Sequence, residues 1–494
     1  MSMHAYIGGA SPWLDKHLKS FIRNHVPDAV FVDTFEQLPA DAETIFQYCD
    51  GWELNQNFAI LNGVAVGLIN AYPNSDALAR KDYLARAVEY WTAKRPDSIL
   101  KGHVPLTVRL SLDYSEYVDD SLAAADDLTL LYSLEQNAAK AASDREWWIL
   151  KPALVDCGAG IRLFSTIDEL AGHLELAEYE DDDDEDEEEE EEEDDEQAAS
   201  GSPRKDDGDG VFTPTLSTPG LSTLDGLITT TTSLTLNPQK SAAAATTTTR
   251  PKKPQYIFKA NGRIPSAQMR EFVAQQYIVA IPPISKRKWH VRAYVLAVGR
   301  LQVFVFREML TLLAAEDYAP PWEGPSLRAS LTNTALQDEA EYVGMESMRD
   351  FWDGVDEGGV EGLAPGWKAA VWEQVCGISG EVFRAAVHTM ADKFTTVDKC
   401  FELFALDFLV DRDGTAWLLE ANETPAFYEQ GIAGPLALRL MESVVCVTME
   451  HMGKAKMGEE AHVAAKARMV QVLDESATLA KSNITEIGPE EWGY

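Results

Sequence analysis

Between residues 400 and 427, CFELFALDFLVDRDGTAWLLEANETPAF, an apolar framework is interrupted by acidic and amide groups at spacings that can do chemistry. Two apolar runs flank Asp411-Arg412-Asp413-Gly414, and a short polar loop ending in glycine between strand-like runs reads as a β-hairpin. The spacing predicts that Val410 pairs with Thr415, which sets Asp407 opposite Leu418. Because side chains alternate with period two, Asp407, Glu420 and Asn422 then share one face. Two carboxylates set diagonally, about 7 Å apart at Cβ, repel each other and lose hydration among Leu, Phe and Ala unless a cation lies between them. Magnesium fits that position, since it takes hard oxygen ligands and shares its shell with substrate phosphates. The alternative is a half-exposed hairpin whose acids face water.

A second constellation is SKRKWHVRAYVLAVGRLQVFVFREM, residues 285–309. Gly299-Arg300 suits a two-residue hairpin turn, and pairing Val298 with Leu301 sets Arg292 directly opposite Arg307. Like charges facing across strands destabilise a sheet unless an anion separates them, and guanidinium forks suit phosphate or carboxylate. Lys288 falls on the same face as Arg292. A third is WWILKPALVDCGAGIRLFST, residues 147–166, which reads as strand, loop, strand. Lys151 ends an apolar strand, where a buried ammonium needs an anion. Gly158 and Gly160 let backbone amides approach phosphates closely.

The elements that must position these groups follow from periodicity. Residues 1–100 mix short strands (29–32, 58–60) with a helix over 76–91 that Asn74 or Ser75 is placed to cap. A first part of a central domain spans 101–177, and an insertion covers 178–254. The rest of the central and carboxy-terminal domain spans 255–452, with a helix over 367–394 and a closing segment over 431–452, and a helical tail covers 453–494. The insertion holds seventeen consecutive acidic residues, 180–196, followed by Ser/Thr/Pro/Gly-rich text. Such a run repels itself and has nothing apolar to offset chain entropy, so it is expected to be disordered.

These stretches resemble the tubulin tyrosine ligase family of the ATP-grasp ligases. FELFALDFLVD with WLLEANETPAF is similar to that family's closing motif, and INAYPNSDALARKDYLARAVEYW to its amino-terminal region. The resemblance implies an α+β ATP-grasp fold with an amino-terminal α/β domain. It implies that Asp407, Glu420 and Asn422 hold magnesium and nucleotide phosphates, and that Lys81, Lys151, Lys288 and the glycine loop reach ATP. FVAQQYIVAI resembles the hinge strand that meets adenine, which places Gln276, Tyr277 and Ile278 there. KWHVR with REM on the return strand carries over Lys288, Arg292 and Arg307 as catalytic cations, and LTN carries over Thr332 and Asn333 for ribose or substrate. Two positions depart from the family: His290 stands where Asp is usual, and Ser330 where His is usual.

The function implied is ATP-dependent amide-bond formation between a free amino acid, tyrosine first, and a carboxylate of an acidic protein tail, tubulin first. A polyglutamylase or glycylase of the same family, or a nucleotide-binding scaffold without ligation, are the alternatives. At 494 residues and 45% apolar content the chain can bury a large core. A net charge of −39 argues against general nucleic-acid binding, which needs cations against phosphates. The insertion region carries 22 acidic against six basic residues, so 23 of those charges lie elsewhere. Five cysteines without ligand spacing, no basic and apolar leader, and no apolar run near 20 residues predict reduced thiols in a cytoplasmic, membrane-free protein.

Overall fold

The computed structural model describes residues 2–8, 11–39, 41–112, 117–125, 127–154, 160–175, 270–332, 347–456 and 458–479, all within one compact unit. Among the described residues no helix is long and apolar enough to cross a membrane. Strands β1 (His4–Ile7), β2 (Val30–Val32), β3 (Thr44–Tyr48) and β4 (Val66–Leu68) form a parallel sheet in the order β2-β1-β3-β4. The segment expected as a strand over 58–60 lies instead in the helix Gly51–Asn62. The helix expected over 76–91 breaks in two, Asp76–Ala79 and Lys81–Lys94, because Arg80 has extended backbone geometry. Asn74 rather than Ser75 accepts the Asp76 N–H, at 3.0 Å.

A second four-stranded sheet runs β5-β8-β6-β7, from β5 (Thr107–Ser111), β6 (Trp148–Pro152), β7 (Arg162–Phe164) and β8 (Glu271–Gln276). Val108, Leu110, Trp148, Leu150, Phe164, Phe272 and Ala274 pack on one side with the helices Val118–Ala123 and Thr129–Asn137. Period two therefore turns Ile149 and Lys151 to the other side, where Ile149 packs with Tyr277 and Leu331.

The third sheet has seven strands. At its centre lies β9 (Arg287–Val298). One edge of β9 pairs with β10 (Gln302–Phe306) and then β11 (Leu310–Asp317); the other pairs with β13 (Phe401–Val410), which pairs with β14 (Ala416–Asn422). β12 (Met348–Asp350) extends β11, and β15 (Met469–Asp474) pairs antiparallel with β10. One face of this sheet buries Trp289, Val291, Val295, Val303 and Val305 with the helix Trp367–Thr389. The opposite face buries Tyr294, Leu296, Phe304 and Phe306 with the helix Ala433–His451.

Three readings of the sequence are corrected. The β9–β10 turn has three residues, Gly299 to Leu301, with Gly299 at φ 62° and Leu301 at φ 86°, so Val298 pairs with Gln302. That one-residue slip moves Arg307 to the other face of the sheet. In the β13–β14 hairpin Val410 pairs with Ala416, and a register shift after Asp407 sets it directly opposite Glu420 rather than diagonal to it. The tail expected as one helix is a helix, Glu459–Ala467, then β15, then a short helix, Ser476–Leu479. The alternation Met469, Gln471, Leu473 against Val470 and Val472 suits an added edge strand.

Candidate active site

The seven-stranded sheet carries a row of charge across three strands. Arg292 on β9 pairs with Asp407 on β13, and Asp407 with Glu420 on β14. Arg292 donates from Nε to Asp407 Oδ1 at 2.9 Å and from Nη2 to Oδ2 at 2.8 Å. Asn422 Nδ2 donates to the same Oδ2 at 3.3 Å and to the Ala405 carbonyl at 3.4 Å. Burial alone would raise the Asp407 carboxyl, but Arg292 and His290 outweigh it and hold Asp407 well below the usual carboxylate range. The same pair, working against burial, holds Arg292 well above its ordinary value.

Three lysines reach this row from three different elements. Lys81 opens the helix Lys81–Lys94 and places Nζ 3.7 Å from Glu420. Lys151, buried on β6, donates to Gln275 Oε1 at 2.8 Å; burial pulls it down to about 8, with Lys81 adding and Glu420 and Asp407 opposing. Lys288, buried on β9, lies 4.0 Å over the Tyr277 ring. Burial and then the neighbouring Lys151 pull it down to about 7. Among the described residues no carboxylate lies within ion-pair distance of Lys151 or Lys288. Four cations thus surround two carboxylates, in a chain whose overall charge is −39.

His290, two residues from both Lys288 and Arg292, is buried between the sheet and Thr332. Its Nδ1 is hydrogen-bonded to Thr332 Oγ1 at 2.5 Å, whereas Nε2 lies 3.5 Å from Asp407 Oδ1 without making a hydrogen bond. Ser330 is buried with its hydroxyl unpartnered, and its carbonyl accepts from the Tyr277 hydroxyl at 3.4 Å. Gln276 ends β8 and Tyr277 follows it, with their backbone N–H groups donating to the Leu106 and Trp147 carbonyls; Ile278 comes next, half-buried. Gly160 has φ 71° just before β7, the left-handed geometry glycine permits. Gly158 and Asn333 lie outside the described residues.

The structure therefore brings together Lys81, Lys151, Lys288, Arg292, Asp407, Glu420 and Asn422, with Thr332 joined through His290. Arg307 is not among them. It is exposed on the opposite face, 5.9 Å from the Trp352 ring and 5.6 Å from Trp372. Gln275, which holds Lys151, was missed from the sequence, although it follows the apolar run Phe272, Val273 and Ala274 on β8 and a polar side chain buried there asks for a partner.

The surplus of buried ammonium groups fits nucleotide phosphates. For a divalent cation, Glu420 and the carbonyl oxygen of Asn422 offer the hard donors it prefers, while Asp407 is already engaged by Arg292.

The solved carboxy-terminal domain of Kluyveromyces lactis Pby1, described as an ATP-grasp enzyme interacting with the mRNA decapping enzyme Dcp2, superposes over 96% of this chain and 99% of its own with a TM-score of 0.57 and 21% identity. That likeness shows the fold: α+β, ATP-grasp. A probable tubulin–tyrosine ligase of Schizosaccharomyces pombe is 34% identical over 362 residues, 73% of this chain and 72% of that protein. The probable tubulin–tyrosine ligase PBY1 of Saccharomyces cerevisiae is 30% identical over 372 residues, 73% of this chain but 40% of its own length. The model of the tubulin-tyrosine ligase family matches residues 60–197 and 238–452, the span that carries every described residue of the charged row, and the chain belongs to that family.

Proposed function

We propose that this chain is an ATP-dependent carboxylate–amine ligase that joins a free amino acid, tyrosine first, to a carboxylate on an acidic protein tail, tubulin first. The observation that carries the reading is the lysine cluster: Lys151 and Lys288 are buried amino groups with no carboxylate within ion-pair distance among the described residues, set beside an acidic hairpin, and an anion placed there would hold both protonated. Lys81, Lys151 and Lys288 would hold the phosphates of ATP in line with a carboxylate, and Arg292, fixed by Asp407, would stabilise the charge that develops as the terminal phosphoryl moves. Magnesium bound by Glu420 and Asn422 would neutralise the terminal phosphates. The amine of the second substrate then displaces phosphate from the acylphosphate and forms the amide. Thr332, tethered by His290, stands beside the same charged row. Among the described residues Cys376, Cys400 and Cys446 form no disulfide, in keeping with a reducing, cytoplasmic setting.

A second reading keeps nucleotide binding but not ligation, with a protein partner as the output. His290 and Ser330 stand where the family resemblance calls for Asp and His, and the Pby1 domain is described by its interaction with Dcp2. Incubating the full chain with ATP, magnesium, tubulin and a panel of labelled amino acids separates the two. Label entering tubulin only with ATP is expected from the ligase; nucleotide binding without incorporation of any amino acid would overturn it in favour of the scaffold. Incorporation of glutamate or glycine would move the chain to the elongating branches, one of whose members, a Caenorhabditis briggsae polyglutamylase, is 25% identical over a third of this chain.

A further inference from the structure

The site was expected to hold its metal between Asp407 and Glu420. The geometry points to a different division of labour, and we propose that Asp407 is not a metal ligand in this chain. On this proposal Arg292 is the permanent cation of Asp407, and the site takes a single divalent cation, held by Glu420 and Asn422 together with the nucleotide phosphates. This rests on the nucleotide-site reading above.

Three observations carry it. First, both oxygens of Asp407 are already engaged: Oδ1 by Arg292 Nε, and Oδ2 by Arg292 Nη2 and Asn422 Nδ2. His290 Nε2 stands a further 3.5 Å from Oδ1. An ionised carboxylate has about four acceptor positions, and here the donors leave little for a metal that demands near-ideal octahedral geometry. Second, the fork is set by the backbone and not by a chance rotamer, because Arg292 and Asp407 are register partners on adjacent, buried strands. Third, the neighbouring acid lacks such a partner. Among the described residues Glu420 meets only the Lys81 ammonium, at 3.7 Å, and its side chain is 20% exposed against 5% for Asp407. The bond from Asn422 Nδ2 to Asp407 also leaves the amide carbonyl of Asn422 for the cation. His290 stands between Lys288 and Arg292 where the family resemblance has Asp, so this position offers no carboxylate to a second cation.

Manganese with a non-hydrolysable ATP analogue tests this on the full chain. The nucleotide-dependent increment in bound manganese is the relevant quantity, since the acidic run over 180–196 binds cations in any case. One manganese per chain, with a resolved hyperfine spectrum, is expected. Two ions sharing phosphates lie about 3.5–4 Å apart and broaden each other's signals, so a second ion or a broadened spectrum would overturn the proposal. Glu420→Gln should weaken manganese binding at least tenfold. Asp407→Asn alone strands a buried guanidinium and invites misfolding, so the decisive variant is the double Asp407→Asn, Arg292→Met, which removes the pair together. Because Arg292 is also placed against the phosphates, manganese affinity of this variant is read with the analogue saturating, and it should then stay within about threefold of the parent. A tenfold loss there would make Asp407 a ligand and overturn the proposal while leaving the nucleotide reading intact. Absence of any nucleotide binding by the parent chain would overturn both.

Discussion

Asp407 and Glu402 lie on the same strand, β13, both about 95% buried, and they end in opposite protonation states. Strand alternation puts them on opposite faces of the sheet. Asp407 meets Arg292 across the ladder and is held ionised. Among the described residues Glu402 meets only neutral donors, the Tyr72 N–H at 3.1 Å and the Ser75 hydroxyl at 2.9 Å, and Ser75 also reaches Glu423 at 3.3 Å. Burial, then the nearby Glu423, pushes Glu402 up to about 8. A buried carboxylate by itself therefore does not mark a ligand-binding site. The partner decides: with a guanidinium the acid is a fixed charge, and with hydroxyl and amide it is a proton-bearing strut that ties the residues before the Lys81 helix to the central sheet.

The largest effect expected from this contrast is at Asp407. Asp407→Ala leaves Arg292, whose side chain is 20% exposed, without its carboxylate and should cost about 3 kcal/mol of stability, the low end for a buried pair, read by denaturant unfolding at pH 7. A loss below 1 kcal/mol would mean that the pair is solvated and the contrast is false.

Next is the pH response of Glu402. Below pH 4.5, its ordinary value, the carboxyl is protonated in both folded and unfolded chains and costs nothing. From there to about 8 the unfolded chain ionises while the folded one resists, so stability falls through that window. Glu402→Gln should remove this slope and leave the variant more stable than the parent by a few kcal/mol at pH 9. Parallel stability curves for the two proteins would show that Glu402 is not held protonated.

The lysines facing Asp407 and Glu420 give a smaller signal. Lys288 at about 7 and Lys151 at about 8 are partly neutral at pH 8, and phosphates raise both. Nucleotide binding at pH 8 should therefore take up roughly one proton, and little at pH 6. Calorimetry in two buffers of different ionisation enthalpy measures this; buffer-independent heats at pH 8 would contradict it. Smallest is Ser75→Ala, which removes one neutral donor from Glu402 and should cost about 0.5–1.5 kcal/mol. A loss matching Asp407→Ala would mean that the two carboxylates are held by equally strong partners.

Much of this was legible in local patterns. The shared faces of Glu420 with Asn422 and of Lys288 with Arg292 follow from period two inside single strands, whereas Asp407 joins the first face only because the register shift after it offsets the one-residue slip at Val410 and Ala416. Pairings between strands were less accessible. Arg292 finds Asp407 because β9 and β13 are neighbours across 115 positions of sequence, and no hairpin signal announces that. The misplacement of Arg307 comes from Leu301 at φ 86°, a geometry leucine rarely adopts, so the third turn residue looked like the start of a strand. Glu402 escaped notice because its partners, Tyr72 and Ser75, come from the far end of the chain.

The pairing of β15 with β10 has a consequence for how the molecule is made. β10 lies between β9 and a strand drawn from residues 469–474. During synthesis from the amino terminus, β10 emerges more than 160 residues before its outer partner. Until then Val303 and Val305 have their inner contacts, but the backbone of β10 presents an open edge of the kind that pairs with other chains. The nascent protein thus holds its own aggregation-prone edge throughout the synthesis of the residues that build the hairpin with Asp407 and Glu420. Protection arrives only when the stretch after residue 468 has left the ribosome.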